Sequence, residues 1–157
     1  MPMPKRPEID TDALIDAVLT RALRLHRRIF EASKGRIGAR IGGTRCLLLH
    51  TTGRRSGLER TATLAYATDG EALVLVASNN GSDSEPDWMK NLRADPHVEV
   101  QLGTERRRAS ARIVERFSEG YERLLRLANA NTGWRYFHYQ QKTTRPIPVV
   151  VLTLEAA

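Results

Sequence analysis

A short segment between two strand-like stretches carries residues suited to binding an anion. The segment 51–60, TTGRRSGLER, places Gly53 and Gly57 around two arginines and a serine. Glycine lets a backbone approach a ligand closely, and successive N–H groups in such a turn form an anion-binding concavity. The side chains that would add charge-assisted or hydroxyl hydrogen bonds are Arg54, Arg55, Ser56 and Arg60. The alternative is a hairpin loop with solvated arginines. No Gly-Lys-Ser/Thr follows, so the segment is not a P-loop.

Three further segments place polar or aromatic groups beside predicted elements. The apolar stretch Ala72–Ala77 runs directly into small polar residues at 78–82, so a buried strand would present backbone and hydroxyl groups to a flat ligand. Trp88 and Asn91 are three residues apart and share a helix face, although a buried tryptophan is more often only part of a core. The aromatic cluster at 134–139 would either wall an apolar pocket with phenol donors or plug one end of a barrel.

Other catalytic chemistries lack their usual patterns. The four histidines are dispersed, with no pair at HxxH or HxxxH spacing, which argues against a metal site. Ser56 and Ser78 lack the G-x-S-x-G context of a serine nucleophile, and no paired carboxylates stand out. Cys46 is the only cysteine, which rules out an internal disulfide, and its apolar surroundings indicate a small buried hydrophobe.

A long amphipathic helix is predicted near the start of the chain. Between Ala13 and Phe30 the apolar residues fall on one half of a helical wheel, and the arginines at 21, 24, 27 and 28 fall on the other half. Such a helix either lays its apolar side on the domain core or lies on a membrane with its arginines toward the headgroups. We divide the 157 residues into a flexible lead at 1–12, this helix at 13–34 and a single domain at 35–157.

The rest of the chain predicts short strands joined mostly by hairpins. Strands are expected at 45–51, 61–68, 72–78, 97–102, 106–114 and 148–154, with a tight turn at Asp69-Gly70. Two helices interrupt them, Pro86–Ala94 and Glu119–Asn129, the second capped by Ser118. The missing strand–helix alternation argues against a doubly wound parallel sheet. We expect a mainly β fold with flanking helices, built as a closed antiparallel barrel that exposes no sheet edge.

The charge balance implies an anionic partner. The net charge is +7, and arginine supplies 21 of the 25 basic residues. The residues alone leave a cofactor, a lipid headgroup and nucleic acid open as that partner. The aromatic residues are not interleaved with basic ones along strands, which argues against nucleic acid. The sequence shows neither a stretch of about 18 apolar residues nor a secretory h-region, so we expect a cytoplasmic protein.

Six motifs follow one another between about Gly43 and Leu154. They are LLLHTTGRRSGLERT at 47–61, Y-x-x-D-G at 66–70, VAS at 76–78, PDWMKNL at 86–92, DPHVEV at 95–100 and YQQKTTRPIPVVVL at 139–152. Together they resemble the deazaflavin-dependent nitroreductase family, actinobacterial proteins that use the reduced deazaflavin coenzyme F420. The resemblance implies a split β-barrel of the flavin-reductase type. It also implies an enzyme that passes a hydride from reduced F420 to a quinone, a nitroarene or an enone.

The resemblance further implies roles for individual residues. The loop that holds the coenzyme's phosphate and anionic tail would contain Arg54, Arg55, Ser56, Gly57, Arg60 and Thr61. The strand end along the deazaflavin ring would be Val76, Ala77 and Ser78. Further cofactor-binding residues would be Leu64, Tyr66 and Asn79. The helix that closes over the cofactor would contribute Trp88, Asn91 and Leu92. Tyr136 and Tyr139 would line the substrate pocket. Either one of these phenols or the Ser78 hydroxyl would stabilise the developing oxyanion on the substrate.

The sequence departs from the family pattern at two positions. Asn79 stands where the family often has lysine, which removes one expected contact with the anionic tail, and Thr63 stands where proline is common.

The same barrel would also suit flavin mononucleotide or haem in place of F420. A basic module that binds nucleic acid is the second alternative. As an addition to the enzymatic role, the basic first helix would dock the enzyme on the inner face of the cell membrane.

Overall fold

A computed structural model of the protein describes residues 11–33, 40–41 and 43–157. Residues 1–10 of the predicted flexible lead lie outside this part of the chain. The helices described are α1 (Thr11–Ala32), α2 (Asp87–Ala94), α3 (Tyr121–Ala130) and α4 (Arg135–Gln141), with a 3-10 helix at Asn79–Gly81. The strands described are β1 (Arg40–Ile41), β2 (Thr44–Thr52), β3 (Glu59–Ala65), β4 (Ala67–Asp69), β5 (Ala72–Val76), β6 (His97–Leu102), β7 (Glu105–Val114) and β8 (Val149–Leu154).

One bent stretch of chain closes the sheet into a barrel. The hydrogen-bonded order is β1-β2-β6-β7-β8-β5-β4, and β3 also pairs with β2. Only Tyr66 separates β3 from β4, so this stretch pairs with β2 through its first half and with β5 through its second half. In the described part of the chain all the strand pairs are antiparallel. The predicted antiparallel barrel is confirmed.

Alternating side chains fill the barrel and also cover part of its outside. The interior cluster includes Leu47, Leu49, Leu73, Leu75, Val98, Val100, Val150 and Leu152, with Met89 and Leu92 from α2. The other faces of β5 and β8 pack with α3 in a second cluster that contains Val74, Val151, Tyr121 and Leu124. Both faces of these two strands are therefore buried, which explains why the stretch 72–77 is continuously apolar.

Several predicted elements appear with nearly the predicted bounds. Strand β6 matches the prediction residue for residue, and the Asp69-Gly70 turn connects β4 to β5 with Gly70 at φ +60°. The single strand predicted at 61–68 is interrupted at Tyr66. The capping role predicted for Ser118 is wrong, because α3 begins at Tyr121 behind Gly120, whose φ is +81°. Helix α4 was not predicted, since its aromatic residues give no amphipathic pattern.

Helix α1 contacts the barrel through its C-terminal part. Phe30 is fully buried, and Arg27 donates a hydrogen bond from Nη1 to the Thr61 carbonyl oxygen at 3.1 Å. Farther toward the N-terminus, Ile15, Val18 and Leu25 are each 59% exposed. The apolar side of the helix is thus only partly covered by the barrel. No helix in the described part of the chain is long and apolar enough to cross a membrane.

Candidate cofactor-binding site

A glycine-dependent turn forms the loop between β2 and β3. The Gly53 N–H donates to the Leu58 carbonyl at 2.7 Å, and the Gly57 N–H donates to the Gly53 carbonyl at 2.8 Å. A Cβ on Gly53 would lie 2.5 Å from the Ser56 Oγ and 3.1 Å from the Leu58 carbonyl oxygen. Gly57 has φ +68°, a left-handed conformation that other residues rarely adopt. The two glycines are therefore required by the geometry of the loop.

The three arginines of this loop differ in what already binds them. Arg54 donates from Nη1 to the Asn91 Oδ1 at 3.1 Å and forms an ion pair with Asp87 at 3.4 Å. Arg60 donates from Nη2 to the Ser56 Oγ at 3.4 Å. The Arg55 guanidinium has no hydrogen bond or ion pair with any residue in the described ranges. Arg55 is therefore the loop cation that is free to bind an anionic ligand.

Asn91 joins helix α2 to this loop. Its side chain is buried, and its Oδ1 accepts hydrogen bonds from both the backbone N–H and the side chain of Arg54. Its Nδ2 donates to the Thr51 Oγ1 at 3.1 Å. These bonds occupy both polar atoms of the amide. Asn91 was expected to contact the cofactor, and the structure shows that it holds the loop in place.

A cavity of about 520 Å³ lies between the loop and α2. Its lining residues are Thr51, Gly53, Arg54, Arg55, Ser56, Arg60, Thr61, Ala62, Asp87, Trp88 and Asn91. The volume falls within the range of roughly 300–1,000 Å³ that is usual for ligand pockets. Three arginines and one carboxylate line it, so it favours an anion. Trp88 is largely buried, and it lines the same cavity with an aromatic side chain.

Residues of helix α1 line two further cavities, and we refer to the three cavities together as the groove. A smaller cavity of about 200 Å³ shares Thr61 and Ala62 with the first, and Arg24 and Arg27 of α1 also line it. It shares Thr20 with a third cavity of about 470 Å³, which reaches Asn79 and Tyr139. The cationic loop lines the first cavity and two arginines of α1 line the second, so positive charge borders both.

The segment that follows strand β5 is held by a residue from the segment after α4. Arg145 donates to the carbonyl oxygens of Ala77, Ser78 and Ser82. The Thr143 hydroxyl donates to the Asp83 carboxylate at 2.6 Å. A Cβ on Gly81 would lie 2.8 Å from the Tyr139 carbonyl oxygen. The segments 77–83 and 139–145 therefore form one closely packed unit.

The structure brings together about half of the residues expected at the site. The first cavity is lined by Arg54, Arg55, Ser56, Arg60, Thr61, Trp88 and Asn91, and the third by Asn79 and Tyr139. Gly57 lines a different cavity, with His50 and Glu59. Ser78 is 7% exposed and directly precedes Asn79. Its neighbour Asn79, and not Ser78 itself, is among the residues that line the third cavity.

The remaining expected residues lie in the core or elsewhere. Val76 and Tyr136 belong to the outer apolar cluster, and Ala77 and Leu92 belong to the barrel interior, against which Leu64 packs. Tyr66 lines another cavity, together with Arg45. Burial raises the pKa of Tyr136 to about 12, so its phenol stays protonated at neutral pH.

Several residues at the groove were not singled out from the sequence. They are Thr20, Arg24 and Arg27 of α1, Asp87 of α2, and Arg145. The helical wheel had placed Arg24 and Arg27 on the polar side of α1, but nothing in the sequence shows that this side covers a groove. Among the described residues, no three His, Cys, Asp or Glu side chains come together as a metal site.

Comparison with known proteins identifies the family of this chain. Residues 22–154 match the family model described as F420H2-dependent quinone reductase. The chain belongs to the F420H2-dependent quinone reductase family. It is 47% identical over 132 residues to the F420H2-dependent quinone reductase Rv1261c of Mycobacterium tuberculosis strain H37Rv, which covers 83% of this chain and 89% of that protein.

Solved structures show the same relationship at the level of the fold. An F420H2-dependent reductase, FDR-A, is 34% identical, with a TM-score of 0.61 over 69% of this chain and 93% of that chain. The haem storage protein HutZ from Vibrio cholerae is 17% identical, with a TM-score of 0.55 over 86% of this chain and 92% of that chain. The barrel is thus shared with a haem protein, and the cofactor is decided by the family and not by the fold.

Family membership confirms the predicted activity. The protein is an oxidoreductase of the F420H2-dependent quinone reductase family, and coenzyme F420 is its cofactor. The flavin mononucleotide alternative finds no support in this family. Hydride transfer from F420H2 to a quinone is the activity that the family implies.

Proposed function

We propose that this reductase binds the anionic end of F420 at the Gly53–Gly57 loop and reduces a quinone in the groove beneath α1. The observation that carries the proposal is the Arg55 guanidinium, which lines the first cavity and pairs with no described side chain. When bound, reduced F420 supplies a hydride. The acceptor gains that hydride and one proton, so a quinone leaves as its hydroquinone. We also propose nitroarenes and enones as acceptors, since they share an electron-poor carbon.

The chain's own residues bind the cofactor and deliver the proton. Arg55 pairs with the negatively charged tail, while Arg54 and Asn91 keep the loop in shape. The acceptor lies near Ser78 and Tyr139, whose hydroxyl groups stabilise the developing oxyanion and donate the proton. Tyr136 packs edge to face against Tyr139, with ring centroids 6.3 Å apart, and supports that ring from the core. A well-placed oxyanion donor contributes up to about 2.7–4 kcal/mol.

Cofactor binding is tested by fluorescence titration with F420. We expect Arg55→Ala to raise the dissociation constant about 10- to 100-fold, because a hydrogen bond to a charged group contributes ~1.5–3 kcal/mol. The matched control is Arg126→Ala, which removes an exposed arginine from α3 and should leave binding unchanged. The difference between the two variants should shrink as salt is added. Equal affinity of Arg55→Ala and wild type would remove this arginine from the site.

The acceptor is tested by following oxidation of reduced F420. Menadione should support turnover, and a nitroarene should support it more slowly if the groove is shaped for a quinone. Ser78→Ala and Tyr139→Phe should each lower kcat more than they raise KM for the cofactor, because each removes only a donor that acts during reduction. Oxidation that is independent of any added acceptor would contradict this role for the groove.

We further propose that α1 docks the enzyme on the cytoplasmic face of an anionic membrane, where a lipid-soluble quinone is within reach. The exposed Ile15, Val18 and Leu25 supply apolar surface, and exposed arginines of the same helix supply positive charge. Val18→Gln with Leu25→Gln should abolish sedimentation with vesicles that contain phosphatidylglycerol while F420 binding is retained. Leu58→Gln, which also removes an exposed leucine, is the control. Unchanged vesicle binding by the double variant would refute the docking role of α1.

A further inference from the structure

Prolines remove the donors that would otherwise continue the sheet beyond β5. The ladder between β5 and β8 ends with Val76 opposite Val149, followed by one hydrogen bond from the Ala77 N–H to the Pro148 carbonyl at 3.1 Å. Pro146 and Pro148 have no N–H. The N–H of Ile147 between them donates to the Gln140 Oε1 at 3.0 Å. The neighbouring segment therefore offers no backbone donor to the carbonyls that follow Val76.

The side chain of Arg145 supplies those donors. Its Nη1 donates to the Ala77 carbonyl at 3.3 Å, its Nη2 to the Ser78 carbonyl at 3.1 Å, and its Nε to the Ser82 carbonyl at 3.2 Å. A guanidinium is planar and holds its donors in a fixed fork, so it fixes the relative positions of these three carbonyls. The Arg145 backbone is held in turn, because its carbonyl oxygen accepts a hydrogen bond from Gln140 at 2.9 Å.

We call the three hydrogen bonds from Arg145 to the carbonyls of Ala77, Ser78 and Ser82 the clamp. The clamp fixes the backbone on both sides of Ser78 while leaving the Ser78 hydroxyl free. Among the described residues that hydroxyl makes no hydrogen bond. The clamped segment also contains Gly81, which packs directly against the Tyr139 backbone. We infer that Arg145 is a positioning residue for the reaction, which sets the Ser78 hydroxyl at the acceptor through the backbone. The inference rests on the proposed function of Ser78 as an oxyanion and proton donor.

Arg145→Lys and Arg145→Gln test this role. Lysine keeps the charge but has its three donors on one nitrogen, without the planar fork that spans the three carbonyls, and glutamine loses the charge. We expect kcat with menadione to fall about 10- to 100-fold in Arg145→Gln and less in Arg145→Lys, because a displacement of ~1 Å at a reacting group costs on the order of 100-fold. The dissociation constant of F420 should change less than about threefold, since none of the three hydrogen bonds of Arg145 involves the loop that carries Arg55. The solvent deuterium isotope effect on kcat should rise, because proton delivery becomes slower.

A double-mutant cycle identifies Ser78 as the residue through which Arg145 acts. Ser78→Ala should lower kcat in the wild-type background and add little in the Arg145→Gln background, because both changes remove the same donor. Arg123→Gln is the control: it breaks a two-bond ion pair with Asp69 far from the groove and should leave kcat unchanged.

The outcomes separate this inference from the proposed function. An unchanged kcat in both Arg145 variants overturns the positioning role while leaving the reductase function intact. The positioning role is also overturned if the losses of kcat caused by Ser78→Ala and by the Arg145 variants are fully additive in the double variant. It is overturned as well if the Arg145 variants lower kcat and F420 affinity together. If neither variant folds, Arg145 is part of the scaffold only, which also overturns the inference. A wild-type enzyme that neither binds F420 nor reduces menadione refutes the proposed function itself.

Discussion

Substitution of Asn91 tests whether its hydrogen bonds hold the Gly53–Gly57 loop in place. Asn91→Leu keeps the approximate volume of the side chain but removes three hydrogen bonds, two to Arg54 and one to Thr51. The Thr51 hydroxyl retains its weak bond to the Arg60 carbonyl at 3.4 Å, whereas the Arg54 N–H is left without a partner from α2. Leaving such groups unsatisfied costs ~1–3 kcal/mol each, so we expect a total loss of about 2–3 kcal/mol.

That loss is measurable by thermal unfolding and by F420 titration. For a chain of this size about 1 kcal/mol corresponds to a shift of roughly 2–4 °C, so Tm should fall by roughly 4–12 °C. The dissociation constant of F420 should rise as well, because the freed loop must be ordered again when the ligand binds. The midpoint of unfolding and the titration are both taken on the same preparations of wild type and variant.

Asn91→Asp separates the structural effect from the electrostatic one. The carboxylate still accepts from Arg54, and the Thr51 hydroxyl can donate to it in place of accepting from it. Tm should therefore stay near the wild-type value, while F420 binding weakens because a negative charge now lies beside the arginine loop. A Tm for Asn91→Leu within about 1 °C of wild type, or F420 binding unaffected by both substitutions, would refute the reasoning.

Two further predictions concern charges near the groove. Asp87→Asn removes the carboxylate that pairs with Arg54, which leaves this cation available to the cofactor. F420 binding should become about two- to fivefold tighter, which is the scale of an exposed ion pair. Weaker binding would show that Asp87 does not compete with the cofactor for Arg54. Burial, followed by the positive charge of Arg106, lowers the pKa of His50 below its usual 6.5 despite the nearby Glu59 and Glu99. The unfolded chain therefore binds more protons in the window just below pH 6.5, so stability should fall as pH drops through it, and His50→Gln should lessen that fall in Tm measurements.

The residue pattern was sufficient to predict most of the barrel. Alternation at 97–102 and the Asp-Gly turn are local features, because strand propensity and turn geometry depend on residues that are neighbours in sequence. The break at Tyr66 and the helix at 135–141 are different. The first arises because one stretch must pair with two strands on opposite sides of the sheet, and the second because aromatic side chains find partners only in the folded core.

The candidate site also combines features set by neighbouring residues with features set by contacts between distant segments. The glycine-hinged cationic loop and the family motifs were predictable from the residues alone, because the chemistry of an anion-binding turn lies within ten consecutive residues. The folded structure was needed to show that Asn91 holds Arg54 while Arg55 is free, and that Tyr139 lines the groove while Tyr136 lies in the core. These outcomes depend on contacts between residues far apart in the chain, and burial and hydrogen-bond pairing are fixed only when those segments meet.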